Sequence, residues 1–95
     1  MADAVGPAPT VVLYGARGCH LCDDARQVLE ELRAELGFAF EEVDITGVEK
    51  LESRFRELLP VVEIAGRREF AFFVPPDAFR RAYAAAQAGS PGTAL

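Results

Sequence analysis

The fold is decided by the stretch TVVLYGARGCHLCDDA, residues 10–25. It begins with an apolar, β-branched run over residues 10–14, which predicts a buried strand that ends near Gly15. Beyond it the apolar residues change to helical spacing, with charged side chains on the opposite face. The pair Cys19 and Cys22 is therefore expected in the first turn of a helix that follows a buried strand. The apolar residues assigned to this helix are Leu21, Ala25, Val28, Leu29, Leu32 and Leu36.

A second strand is expected over residues 38–45, with an irregular pattern. Phe38 and Phe40 share one face of that strand, whereas Val43 and Ile45 share the other. A bulge or an early end of the strand would explain the change of face.

The rest of the chain predicts a short helix, a hairpin and a last helix. Spaced apolar residues mark the helix within residues 48–58, and residues 61–64 and 68–74 are typical of strands. The turn at 65–67 is short enough for an antiparallel hairpin. The sequence Pro-Pro-Asp at 75–77 suits the start of a third helix.

The predicted order is β-α-β-α-β-β-α, which indicates an α/β protein. The first crossover implies parallel strands and the late hairpin implies antiparallel ones, so the sheet is mixed and four-stranded, with helices against it. We expect one domain at residues 10–88, with flexible tails at 1–9 and 89–95.

Composition limits the function classes. The chain has 95 residues, 51% of them hydrophobic and 26% charged, which is typical of a globular protein. Its net charge of -5 argues against nucleic-acid binding, which depends on Lys and Arg that neutralise phosphates. No apolar run approaches the roughly 20 residues that span a bilayer, and the first residues lack a secretory pattern. We therefore expect a cytoplasmic monomer without a membrane or nucleic-acid partner.

Two cysteines that are three residues apart are typical of redox chemistry in a reducing compartment. On a helical turn this spacing brings the sulfurs together, and the unpaired N–H groups at the helix N-terminus favour a thiolate. Such thiols have a pKa well below the ordinary value of about 8.5. Cys19, at the first position of the helix, is interpreted as the nucleophile. Cys22, one turn further on the apolar side, is interpreted as the resolving thiol.

Alternatives to a redox role stay open. The cysteines could belong to a zinc or iron–sulfur site, although a closed zinc site needs four ligands and this chain adds only His20. They could also have neither role. We expect no metal site and no resident cofactor.

Residues 12–25, together with Leu-Pro-Val-Val at 59–62, resemble glutaredoxin-like proteins of the thioredoxin superfamily. The similarity is greatest to a subgroup of small bacterial proteins that carry Cys-His-X-Cys. The resemblance implies a thioredoxin-like fold and thiol–disulfide oxidoreductase activity on a disulfide-containing protein or small thiol. It also implies that the Leu59–Pro60 bond is cis and faces the cysteines, so that the backbone of Leu59 can bind an extended substrate. Otherwise Pro60 only starts a strand.

The residues that contact glutathione in members of this family are poorly matched in this sequence. Members that bind it usually have Thr-Val-Pro in the loop, a Lys three residues before the first Cys and a Gly-Gly-X-Asp turn. Here the corresponding residues are Leu59 before the proline, Ala16 before the cysteine, and Val-Pro-Pro-Asp in the turn. Arg17 and Asp77 remain candidates to hold its charged ends. Alternatively, Arg17 is a solvated loop charge and Asp77 caps a helix.

His20 is the residue expected to modulate the pKa of Cys19. A protonated imidazole would help to hold the thiolate, but the positive end of the helix dipole disfavours a second cation there. We therefore expect a solvent-exposed, near-neutral His20. Asp23 and Asp24 would act in the opposite sense and raise the pKa of the thiol.

The aromatic residues near the end of the chain are expected to serve the core. One or two of them would support a surface groove. They are Phe70, Phe72, Phe73 and Phe79.

Overall fold

Helices and strands follow one another as the sequence predicts. The structure, a computed structural model, describes residues 8–88, so most of the two predicted tails lies outside it. The elements are β1 (Thr10–Gly15), α1 (His20–Leu36), β2 (Ala39–Asp44), α2 (Glu49–Phe55) with a 3-10 turn at Arg56–Leu58, β3 (Val61–Ile64), β4 (Arg67–Ala71) and α3 (Pro76–Gln87).

The four strands form one mixed sheet in the order β2-β1-β3-β4. β1 runs parallel to β2 and antiparallel to β3, and β3 runs antiparallel to β4. The β3–β4 hairpin turns on Ala65 and Gly66, with φ of 53° and 81°. Both positive values suit a two-residue turn of the type that matches strand twist. The predicted α/β class and the mixed sheet are confirmed.

Helices cover both faces of the sheet, and this corrects the expected irregularity of β2. The register between β1 and β2 is continuous, whereas the register shift lies between β3 and β4 at Val62/Glu63. Phe38 is buried in the cluster with α1 and α3, and Ile45 is buried in the cluster with α2. The apolar residues change face because both faces have a core to join.

Helix α1 carries the larger core cluster. Its buried residues are Cys22, Ala25, Leu29 and Leu32, and Gly37 ends it with a φ of 80° that favours glycine. Leu21, which was expected on the buried face, is 52% exposed. It lies at the edge of that face, in the first turn, where the segment 72–74 faces it instead of the sheet.

Within residues 8–88, no helix combines the length and the apolar character that crossing a bilayer requires.

Candidate active site

The turn between β1 and α1 places both cysteines. Gly18 adopts a φ of 74°, which a residue with a side chain enters only at a cost. The N–H of Cys19 donates to the carbonyl of Ala16 at 3.3 Å and closes the turn. Cys19 then has extended backbone angles and is the N-cap of α1, one position before the first helical residue. The prediction that Cys19 occupies the first helical position was therefore wrong by one residue, and His20 takes that position.

The sulfur of Cys19 caps the helix. The backbone N–H of Cys22 donates to Sγ of Cys19 at 3.1 Å. The first N–H groups of a helix have no partner inside it, so the sulfur satisfies one of them. The two sulfurs are joined in a disulfide, and the Cα atoms lie 5.2 Å apart, within the usual range for such bonds. Reduction that kept this geometry would leave Sγ of Cys19 facing the same N–H.

The two sulfurs differ in exposure. Cys19 is partly exposed, whereas Cys22 is only 2% exposed and lies against the end of β1. A Cβ placed on Gly15 would be 3.3 Å from Sγ of Cys22. Cys19 is therefore accessible from solvent, whereas Cys22 is almost entirely inaccessible.

A polar cavity of about 330 Å³ opens beside Cys22. Arg17 pairs with Asp44 across it at 3.7 Å, and Arg26 pairs with both Asp23 and Glu42. These side chains are solvated, so their ion pairs contribute little to stability. Hydrogen bonds from Thr46 hold the pKa of Asp44 below its ordinary value, and Arg17 adds a smaller effect in the same direction. Charged side chains therefore lie close to Cys22, which is itself only 2% exposed.

Arg17 and Asp77 are not brought together by the contacts of the described residues. Arg17 lines the cavity beside Cys22. Asp77 instead accepts a hydrogen bond from Arg80 at 2.7 Å, and Arg80 makes a bidentate pair with Glu35 in the last turn of α1. The expectation that Asp77 caps α3 was wrong, because Pro75 is the N-cap and no side chain caps that helix.

The Leu59–Pro60 peptide bond is cis. Pro60 is buried, Leu59 is half-buried, and the carbonyl of Pro60 accepts a hydrogen bond from the N–H of Phe72 at 2.9 Å. Their role in substrate binding stays a prediction.

The sequence matches a known family over most of its length. The model of the glutaredoxin-like domain (DUF836) matches residues 10–81. The chain belongs to this family. It is also 34% identical over 88 residues to an uncharacterized protein of Mycobacterium tuberculosis, and that alignment covers 87% of this chain and 91% of the relative.

The fold of this glutaredoxin-like protein is similar to those of several solved structures. Protein Ne2328 of Nitrosomonas europaea is 27% identical, with a TM-score of 0.71 over 86% of this chain and 98% of its own. Mitochondrial thioredoxin 3 of Saccharomyces cerevisiae is 14% identical, with a TM-score of 0.63 over 84% of this chain and 80% of its own. NrdH-redoxin of Escherichia coli is 24% identical, with a TM-score of 0.55 over 76% of this chain and 92% of its own. The fold is therefore thioredoxin-like.

The four phenylalanines were expected in the core, with one or two of them at a surface groove, and two of the four lie at the surface. Phe79 is fully buried, but Phe72 and Phe73 are 48% and 66% exposed. Strand β4 ends at Ala71, and Phe72 takes a φ of 76°, so the alternation of faces stops before these residues. The early strand end was not visible in the apolar pattern.

A zinc or iron–sulfur site was the alternative to a redox pair. Among residues 8–88, no group of three or more His, Cys, Asp and Glu side chains is arranged to share a metal ion.

Proposed function

We propose that the protein is a thiol–disulfide oxidoreductase in which Cys19 is the nucleophile and Cys22 the resolving thiol. The observation that supports this most is the asymmetry of the pair. Cys19 is partly exposed and its sulfur accepts the N–H of Cys22, whereas Cys22 is only 2% exposed. Reactive cysteines are reachable and stabilised as thiolates, and Cys19 meets both conditions.

The first step starts from the reduced dithiol. The thiolate of Cys19 attacks one sulfur of a substrate disulfide. The S–S bond of the substrate breaks, one substrate sulfur leaves as a thiolate, and a mixed disulfide with Cys19 forms. The N–H of Cys22 and the positive end of the α1 dipole stabilise the thiolate before the attack.

The second step releases the rest of the substrate. The thiol of Cys22 gives its proton to water, and the resulting thiolate attacks the sulfur of Cys19. The bond between Cys19 and the substrate breaks, and the second substrate thiolate leaves. Two electrons have then passed from the dithiol to the substrate, and an external thiol reductant restores the Cys19 and Cys22 thiols.

Four further residues have proposed roles in this reaction. Leu59 and Pro60 would bind extended substrate backbone, and Arg17 would attract a negative group at the cavity beside Cys22. His20, exposed next to Cys19, would adjust the pKa of the nucleophile. Asp77 is the weakest of the predicted binding residues, because Arg80 already holds its carboxylate.

A partner-specific electron-transfer adaptor is a second candidate function. The exposed pair Phe72 and Phe73 favours it, because large exposed aromatic side chains are typical of protein interfaces. An adaptor would use the same dithiol but would reduce general disulfides slowly.

An absorption spectrum of freshly purified protein checks the iron–sulfur alternative separately.

A small chromogenic disulfide, dithiobis(nitrobenzoate), tests the proposed steps. The reduced wild type should release two thiol equivalents, since both steps proceed. Cys22→Ser should release one equivalent and keep the other half bound to Cys19. Cys19→Ser should react slowly, because the remaining sulfur is buried. A Cys19→Ser variant that reacts as fast as the wild type would overturn the assignment.

The cell location, the oligomeric state and glutathione use also stay predictions. We propose a cytoplasmic monomer that acts on a disulfide-containing protein or a small thiol. Comparison of an insulin-reduction assay with a glutathione-coupled assay would show which class of substrate it takes.

A further inference from the structure

An apolar groove lies beside the first turn of α1, the turn that carries the cysteines. Leu21, which separates them with His20, forms one wall and is 52% exposed. Phe72 and Phe73 form the other wall, and Val28 lies at the base, half-buried. The enclosed volume is about 130 Å³. A groove of this kind could accept one bulky apolar side chain of a substrate held at Cys19.

The aromatic wall is held in place by the backbone. Phe72 adopts a φ of 76°, which is unfavourable for a bulky side chain. Its N–H donates to the carbonyl of Pro60 at 2.9 Å, and the N–H of Phe73 donates to the carbonyl of Ala71 at 2.9 Å. Costly conformations of this kind are often found at functional sites. Here the conformation turns two aromatic side chains to solvent beside a redox pair.

The groove carries a negative charge at its edge. Asp24 is the charged residue among the groove's lining side chains. It is exposed, whereas Asp23 lines the cavity beside Cys22 and pairs with Arg26 there. The whole chain carries a net charge of -5. Attraction at this rim would favour a basic side chain and disfavour an anionic substrate.

We propose that this groove selects polypeptide disulfides in which a bulky apolar residue and a basic residue flank the attacked cysteine. The inference rests on the proposed function and narrows its substrate class. Glutathione disulfide is the contrasting substrate, because it is anionic and has no bulky apolar side chain. The apolar neighbour would lie between Leu21 and Phe73, and the basic neighbour would approach Asp24.

The test uses single turnovers of the pre-reduced full chain. The first probe is a peptide that contains Cys-Leu-Lys, with its cysteine in a disulfide. The second is the same peptide with Cys-Ser-Glu in place of Cys-Leu-Lys. Dithiobis(nitrobenzoate) is the small disulfide that needs no groove. We expect the first peptide to react at least about tenfold faster than the second, a ratio typical of losing one interface anchor.

Two variants remove the aromatic wall without altering the cysteines. Phe73→Ser removes an exposed ring, and Phe72→Gly removes its neighbour with a residue that adopts positive φ freely. Both should lower the peptide ratio severalfold, to the part that the charge of Asp24 supplies, and leave the rate with the small disulfide within about twofold. Asp24→Asn should weaken the preference for Lys alone. Val48→Ala is the control, since Val48 is an exposed apolar residue outside the groove lining.

The outcomes separate the two proposals. If the wild type fails to reduce even the small disulfide, the proposed function fails. If it reduces the small disulfide and both peptides alike, or if the variants keep the peptide ratio, the groove proposal is wrong. Concentration-dependent dimerisation in sedimentation that Phe73→Ser abolishes would also overturn it, because a second copy would then occupy the groove.

Discussion

A Cβ added to Gly15 would lie 3.2 Å from the Cβ of Cys22 and 3.3 Å from its Sγ. Both distances are shorter than ordinary van der Waals contact, so a methyl group at this strand end would require Cys22, the proposed resolving cysteine, to shift by a few tenths of an ångström. Gly15 is not in the left-handed region, so the restriction comes from the neighbouring sulfur and not from the backbone. Gly15 is therefore a positioning residue for Cys22.

Gly15→Ala should slow the second step of the reaction more than the first. The added methyl group would shift Cys22 by a few tenths of an ångström, whereas Cys19 remains the N-cap of α1. With dithiobis(nitrobenzoate), release of the first thiol equivalent should stay close to the wild-type rate. Release of the second should fall by about tenfold, which corresponds to about 1.4 kcal/mol. Equal slowing of both steps would indicate a general loss of structure, and no slowing would show that the contact is easily relieved.

Gly18→Ala should lower the free energy of unfolding and also disturb Cys19. The φ of 74° costs an alanine about 1–2 kcal/mol, although no atom would obstruct its Cβ. Gly37→Ala is a matched control, because φ is 80° there and the space is equally open. Urea unfolding should show similar losses for both variants. Only Gly18→Ala should slow the attack by Cys19, and equal kinetics in the two variants would contradict the role of this turn.

Phe79→Ala should be strongly destabilising. Phe79 is fully buried and its ring lies 5.5 Å from that of Phe38, 6.0 Å from Phe70 and 6.2 Å from Tyr83. Removal of a ring from such a core costs about 3–5 kcal/mol. Phe73→Ala removes the same side chain at an exposed position and should change the free energy of unfolding by less than about 1 kcal/mol. Similar losses in urea unfolding would contradict the exposure of Phe73.

Glu35 should titrate below an ordinary glutamate. The bidentate hydrogen bonds from Arg80, both 2.8 Å long, lower its pKa in the folded protein. A carboxylate with a lowered folded pKa stabilises the fold above its unfolded value, near 4.3, and this contribution is lost as the pH falls through the folded pKa. NMR titration of the Glu35 carboxyl should show the low midpoint. Arg80→Gln should move it upward, and an unchanged midpoint would contradict the pairing.

The fold could largely be predicted because its signals are local. The change from a β-branched run to helical spacing around Cys19 and the short hairpin turn at 65–67 are visible in the sequence itself. The face change from Phe38 to Ile45 was visible too, but its cause was not. That cause is the second core beneath α2, which is a property of the packed sheet.

The site was predictable in its chemistry and less so in its surroundings. The Cys19–Cys22 spacing was enough to indicate a pair near the start of a helix. The contact between Gly15 and Cys22 was not predictable, because the distance depends on how α1 lies over β1. Phe72 leaves the strand through a positive φ that its sequence does not favour, so the exposed groove could not be placed from the apolar pattern.

Alkylation of the reduced protein distinguishes Cys19 from Cys22 as the nucleophile. The reduced chain is treated with iodoacetamide across a range of pH, and mass spectrometry of peptides measures modification of each cysteine. Because the N–H of Cys22 and the start of α1 stabilise its thiolate, Cys19 should react first, with a midpoint below the ordinary thiol pKa of about 8.5. Earlier modification of Cys22, or a midpoint for Cys19 at or above about 8.5, would show that Cys19 is not the activated nucleophile.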